Sequence, residues 1–247
     1  MVSKPIALEG AANIRDFAGY RSVEGRTVAP GQFLRGDSPD SLSTEDRQRL
    51  LRHGVRRVVD LRGSEEVTMR PNPFADEPSV RYFHIDMYAA VPAKLFFRVT
   101  PRSLSDLYID LARYAAEAVA AVFRVMSDER DGAVLFHCTA GKDRTGIIAA
   151  LLLSVLDVDR STIVDDYSVS RGYLDSVLYR IESTMPSSWD RATRESILAS
   201  TPDYIEYFLE FIDETWNGAE AYLLASGLEP AALSALRRKA FAPQRFS

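Results

Sequence analysis

Cys138 is the single cysteine of this 247-residue chain, and its neighbours suit it to chemistry. Five residues follow it, Thr139, Ala140, Gly141, Lys142 and Asp143, and then Arg144-Thr145-Gly146. The run Ala133–Phe136 ahead of His137-Cys138 is short and β-rich, whereas Gly146–Leu156 is apolar on all sides and reads as a buried helix. A loop leading from a strand into a helix N-terminus turns backbone N–H groups inward and adds the positive end of the helix dipole. A phosphate dianion fits such a cradle without a metal ion. Gly141 permits a tight turn and close approach to a ligand. Arg144 can offer two phosphoryl oxygens a bidentate fork, which a lysine could not.

The same field acts on the sulfur. A free thiol titrates near ~8.5, and beside cations at a helix N-terminus the value falls to roughly 3.5–7.5. Cys138 is therefore expected to be a thiolate at neutral pH. Beneath a phosphorus atom it would attack in line and form a cysteinyl phosphate, which water then hydrolyses. Loop amides and the Arg144 fork would carry the equatorial charge. The catalytic roles thus fall to Cys138 and Arg144, and phosphate binding to Thr139, Ala140, Gly141, Lys142, Asp143 and Arg144. Thr145 could donate to the sulfur and ease its departure, while His137 suits holding the loop better than acting as a base. A lone buried cysteine is ordinarily structural, but the spacing to Arg-Thr, the glycine and the flanking elements argue otherwise. Lys142 reads equally well as a surface charge or as a contact favouring substrates with more than one phosphate.

The elements that must hold this loop are readable in outline. Ser43 before Thr44-Glu45-Asp46 is an N-cap with acids in the first turn, opening a helix to about His53-Gly54. Val55–Leu61 and Val80–Ile85 read as buried strands, with shorter extended segments at Thr27–Val28 and Gln32–Arg35. Leu104, Tyr108, Leu111, Ala115, Val119, Val122 and Met126 recur at helical spacing and predict one long amphipathic helix. Thr201-Pro202 opens another, with Ile205, Phe208, Leu209, Ile212 and Trp216 on one face. Strands separated by helices predict an α/β fold, its central sheet mainly parallel and flanked by helices, with a helical C-terminal part.

Bulk properties narrow the function classes. With 46% hydrophobic and 26% charged residues the chain is ordinary for a globular protein, and one domain over 1–247 is expected. A formal charge of -5 argues against nucleic acid or anionic lipid as a general partner. One cysteine excludes an intramolecular disulfide and a multi-cysteine zinc site, and His53, His84 and His137 are far apart, so neither metal nor cofactor is expected. Met1–Gly10 lacks the apolar core of a signal peptide. The longest apolar stretch, Ile147–Leu156, is half the ~20 residues of a membrane span. A soluble, cytoplasmic protein without integral membrane association is expected.

The loop His137–Gly146 resembles the signature of protein tyrosine phosphatases and their dual-specificity relatives. Its Gly-Lys-Asp-Arg-Thr-Gly form is similar to the bacterial and fungal branch of tyrosine- and phosphoinositide-active phosphatases. The resemblance extends to Asn13-Ile14-Arg15-Asp16-Phe17-Ala18-Gly19-Tyr20, to Leu34-Arg35-Gly36-Asp37, to Val58-Val59-Asp60-Leu61-Arg62 with Glu65-Glu66, and to Asp165-Asp166-Tyr167. Ala18 and the Gly36-Asp37 pair depart from the commonest residues of that branch. The resemblance implies a protein-tyrosine-phosphatase-like sheet, hydrolysis of phosphotyrosine in proteins or of phosphoinositides, and a helical lid. Lid elements would fall within about 87–126, Phe96 and Phe97 among them, where a core helix is an equally good reading. A soluble inositol polyphosphate is a further substrate class. A phosphate-binding module without turnover is disfavoured by the intact Cys138 and Arg144, and sulfur transfer by the Arg-Thr pair.

The leaving oxygen needs a proton, and a positioned carboxylic acid contributes a factor of about 10²–10⁴. Typical members of the resembling family carry this acid on a Trp-Pro-Asp loop. Here only fragments of it exist, Ser188-Trp189-Asp190 and Thr201-Pro202-Asp203. Two other aspartates are candidates. Asp143 lies inside the loop, where the resembling branch is suspected of keeping its acid. Asp86 ends the Val80–Ile85 strand, from which related phosphatases hang an acid loop, and reads as well as a turn or cap residue. Asp143 is preferred. Asp60 with Arg62 is expected to form an internal ion pair or to brace the loop.

Overall fold

The computed structural model describes residues 2–92, 95, 104–130, 132–175 and 190–242. Five strands, β1 (Arg15–Asp16), β2 (Phe33–Gly36), β3 (Val55–Asp60), β4 (Arg81–His84) and β5 (Ala133–His137), form one sheet in the order β1-β2-β5-β3-β4. All neighbours run parallel except β1, which is antiparallel to β2. The register sets Gly36 and Asp60 on either side of His137. The carboxyl ends of β2, β3 and β5 are therefore level, and Asp37, Leu61 and Cys138 leave the sheet at one edge, where parallel sheets bind ligands.

Both faces of β5 are covered, as its unbroken apolar run requires. Val134 and Phe136 join the larger core, and Ala133 and Leu135 join a second core with Leu34, Val55 and Val58. The helices are α1 (Thr44–Arg52), α2 (Ser64–Met69), α3 (Leu104–Tyr114), α4 (Ala116–Ser127), α5 (Asp143–Val155), α6 (Arg160–Ser168), α7 (Ser170–Tyr173), α8 (Arg191–Leu198), α9 (Pro202–Trp216), α10 (Ala219–Ala225) and α11 (Pro230–Phe241). Ser43 caps α1 in a reciprocal capping box with Asp46. Eleven of the thirteen residues of α5 are buried. At about 1.5–3 kcal/mol for each fully buried Ile, Leu or Val, that helix is a fixed base for the loop ahead of it.

Four expectations change. Strand β4, read as buried, is exposed at Arg81 and His84 and half-buried between them. The long helix over Leu104–Met126 is two helices that meet at Ala115. Hydrogen bonds from Ala115 N to Leu111 O and from Val119 N to Ala115 O, 2.9 and 2.8 Å, carry the register through the bend, so the apolar spacing persists across it. The helix after the loop begins at Asp143 rather than Gly146. Thr27–Val28 is no strand, since Thr27 makes only an isolated bridge to Arg21. Tyr108, Leu111, Val119 and Phe123 on α3 and α4 belong to the main core, while Phe96 and Phe97 lie outside the described residues. Among the described residues no helix is long and apolar enough to cross a membrane, and no group of His, Cys, Asp and Glu could hold a metal ion.

Candidate active site

The loop after β5 owes its shape to the partners of its carbonyl groups. Cys138 O faces His137 Nδ1 at 3.1 Å, Thr139 O accepts from Ser38 N at 3.1 Å, and Ala140 O from Asn13 Nδ2 at 3.1 Å. Gly141 O takes Arg35 Nη2 at 2.7 Å. Within a planar trans peptide the N–H points opposite to the preceding C=O. Four carbonyls turned toward the surrounding protein thus turn the N–H groups of Thr139, Ala140, Gly141 and Lys142 the other way, as an anion-binding nest requires. Gly141 has φ +67°, and a Cβ there would lie 2.4 Å from the carbonyl carbon of Gly36. Only glycine fits.

The props come from the N-terminal arm. Asp37, at the end of β2, accepts from Ala12 N and Asn13 N at 2.9 Å each, which presents the Asn13 amide to the loop. Arg15 and Arg35 share the buried carboxylate of Asp166 on α6, which also takes the Tyr20 hydroxyl at 2.7 Å. Burial opposes the charge on Asp166, but the two guanidinium groups outweigh it and hold the carboxyl down at about 2.

Arg144, in the first turn of α5, is buried, and its fork is clamped by Glu66 of α2. Nη1 donates to Oε2 at 2.6 Å and Nη2 to Oε1 at 3.1 Å. The Thr139 hydroxyl also donates to Glu66, and Gly63 N donates to its Oε2 at 2.7 Å. Burial works against the Glu66 charge, yet Arg144 and these donors hold its carboxyl at about 2. The guanidinium lies 4.5 Å over the Tyr88 ring. Its Nε is buried with no hydrogen-bond partner among the described residues, and so is Thr145 Oγ1. The bond from Thr145 to the sulfur is thus not made in this structure. Cys138 is 2% exposed.

His137 and Asp60 brace the loop from the sheet. Asn72 Oδ1 accepts from Phe74 N at 3.0 Å, which orients the Asn72 amide. Its Nδ2 then donates to Asp60 Oδ2 at 3.1 Å and to His137 Nε2 at 2.8 Å. His137 therefore carries its proton on Nδ1 and gives it to Cys138 O. Burial pushes its pKa down, in keeping with the neutral ring. Asp60 pairs with Arg62 at 2.6 Å and accepts from Tyr82 at 3.0 Å. Burial opposes its charge, but the Arg62 guanidinium and the Asn72 amide hold the carboxyl well below the usual range.

The two candidate acids are placed differently. Both oxygens of Asp86 are engaged at the start of α2 and in the following turn: Oδ2 with Ser64 N at 3.0 Å and Ser64 Oγ at 3.2 Å, Oδ1 with Tyr88 N at 2.8 Å. Asp86 is a cap and turn residue here. Asp143 sits in the loop with Tyr108 Oη 2.5 Å and Lys142 Nζ 3.2 Å from its Oδ1. The Lys142 ammonium also reaches Ala199 O at 2.7 Å, and the residue is 2% exposed, which turns that charge to the protein rather than to a second phosphate. Sequence reasoning had assigned no role to Glu66, Asn13, Arg35 or Tyr108. Glu66, Asn13 and Arg35 stood in the resembling motifs, and that was their only signal.

The model of the tyrosine phosphatase family matches residues 6–242. A tyrosine-protein phosphatase of Nostoc commune is 35% identical over 179 residues, covering 70% of this chain and 61% of that protein. The triple specificity protein phosphatase PtpB of Mycobacterium tuberculosis is 27% identical over 272 residues, 93% of this chain and 96% of its own. The crystal structure of P. aeruginosa TpbA is similar with a TM-score of 0.42 and 17% identity, covering 79% of this chain and 86% of that one. A family match that runs from the N-terminal arm propping the loop to the last helix takes in every residue of the site, and the chain belongs to the tyrosine phosphatase family.

Proposed function

We propose that this protein hydrolyses phosphomonoesters, phosphotyrosine in proteins first, through a cysteinyl-phosphate intermediate and without a metal. The observation that carries this reading is Arg144: its fork is held by Glu66, and its buried Nε lacks an acceptor beside a loop whose Cys138–Gly141 carbonyls are turned to the protein. An unsatisfied buried donor costs about 1–3 kcal/mol, and a phosphoryl oxygen would satisfy it. In the first step the Cys138 thiolate bonds to phosphorus as the ester oxygen leaves with a proton from Asp143. In the second, water gives a proton to the Asp143 carboxylate as its oxygen bonds to phosphorus, and the sulfur leaves as a thiolate with Thr145 as its hydrogen-bond donor. Arg144 and the amides of Thr139–Arg144 carry the equatorial charge throughout.

Dual specificity, with phosphoinositides as a second substrate class, is part of the reading, supported by the printed triple specificity of the mycobacterial relative. A cytoplasmic location and one phosphatase domain over 1–247 complete it. Purified protein should release phosphate from an aryl phosphate in excess chelator. Cys138→Ser should abolish turnover yet still bind inorganic phosphate in calorimetry. Activity that vanishes with chelator, or a serine variant with full turnover, would sink the mechanism. A panel of phosphopeptides and phosphoinositides ranks the substrate classes.

A further inference from the structure

The two oxygens of Asp143 are not equivalent. Oδ1 takes both the Tyr108 hydroxyl at 2.5 Å and Lys142 Nζ at 3.2 Å, and no described residue donates to Oδ2. Tyr108 is fully buried and has one hydroxyl proton. An ionised carboxylate only accepts, so that proton lies toward Asp143, and the Tyr108 oxygen accepts in turn from Tyr167 at 2.7 Å. The rings of Tyr108 and Tyr167 meet edge to face at 6.2 Å and 83°. Gly146 on α5 leaves the room for this, since a Cβ there would lie 2.9 Å from Tyr167 Cδ2. A carboxyl takes up its proton on the oxygen that is not already receiving donors. Protonated Asp143 thus bears its proton on Oδ2 and keeps Oδ1 as an acceptor, and the chain Tyr167, Tyr108, Asp143 holds the same polarity in both states.

We propose that Tyr108, oriented by Tyr167, is the positioning residue for proton transfer by Asp143: it fixes the carboxyl and reserves Oδ2 for the transferred proton. The inference rests on the reading of Asp143 as general acid. As the Cys138 thiolate forms the sulfur–phosphorus bond, the breaking phosphorus–oxygen pair goes to the leaving oxygen. That oxygen takes the Oδ2 proton, and Asp143 remains as a carboxylate hydrogen-bonded to Tyr108.

The test compares kcat/KM, which reports cysteinyl-phosphate formation, on phenyl phosphate and 4-nitrophenyl phosphate, the poorer and the better leaving group. Tyr108→Phe should lose about tenfold more on phenyl phosphate than on the nitro ester, the equivalent of one charge-assisted hydrogen bond. Tyr167→Phe, which leaves the Asp143 contact in place, should move in the same direction by about threefold. Asp143→Asn should discriminate more strongly than either, and adding Tyr108→Phe to it should cost nothing further. Equal losses on both esters, or losses additive with Asp143→Asn, overturn the role of Tyr108. If Asp143→Asn itself treats the two esters alike, the general-acid reading fails and the inference with it. Discrimination by Asp143→Asn alone overturns only the inference.

Discussion

Replacing Glu66 by glutamine removes the charge that clamps Arg144 while keeping the shape of the side chain. Holding a carboxyl at about 2 instead of 4.5 corresponds to about 3 kcal/mol in favour of its charged form. The Glu66 side chain is 31% exposed, and solvent screening brings the contribution to stability nearer about 2 kcal/mol. The folded-state pKa is depressed, so this contribution is complete above 4.5 and is lost as pH falls toward about 2. Urea unfolding of the parent and Glu66→Gln should therefore differ by about 2 kcal/mol at pH 7 and about pH 5, with the difference shrinking at about pH 3. The freed guanidinium should also weaken inorganic phosphate, read as a competitive inhibitor, by about tenfold, since one charge-assisted contact no longer orients the fork. A variant with the parent's phosphate affinity, or a stability difference that stays constant down to about pH 3, would refute the clamp.

Gly141→Ala places a Cβ against the Gly36 carbonyl carbon in a left-handed residue. It should lower kcat/KM by at least about 100-fold with little change in far-ultraviolet circular dichroism, because the strain is local to the nest. Asp60→Asn removes the nearer carboxylate of buried Arg62, leaving Asp40 at 3.8 Å, and should cost about 3 kcal/mol in thermal unfolding. His137 has its pKa lowered by burial, so the unfolded chain binds the proton first. Stability should thus fall as pH drops below 6.5, and His137→Gln should flatten the urea midpoint between about pH 5.5 and pH 7.5.

The strand, loop and helix around Cys138 were legible because local pattern decides them: a short β-rich run, one glycine, then an apolar stretch with no polar face. The Ser43 cap was legible for the same reason. The break at Ala115 was not, since neither proline nor glycine marks it and the hydrogen-bond register survives it. The clamp on Arg144 was hidden for a different reason. Glu65 and Glu66 look alike in sequence, and only the docking of α2 beside the loop makes Glu66 the partner. Lys142 misled because an exposed-looking cation beside Arg144 is held by Ala199, which lies far along the chain.

The contacts that turn the loop carbonyls outward join remote parts of the chain. Asn13 reaches Ala140 across 127 residues and Arg35 reaches Gly141 across 106, and the clamp on Arg144 spans 78. Such closures are slow in folding, because chain entropy is lost before the contact rewards it. A growing polypeptide would already hold Cys138, Arg144 and the start of α5 while Asp166, the anchor of Arg15 and Arg35, was still unmade. The cradle around Cys138 is thus complete only once a segment made after it has docked against the N-terminal arm. Loosening of the N-terminal arm alone would undo it again with the central sheet still intact.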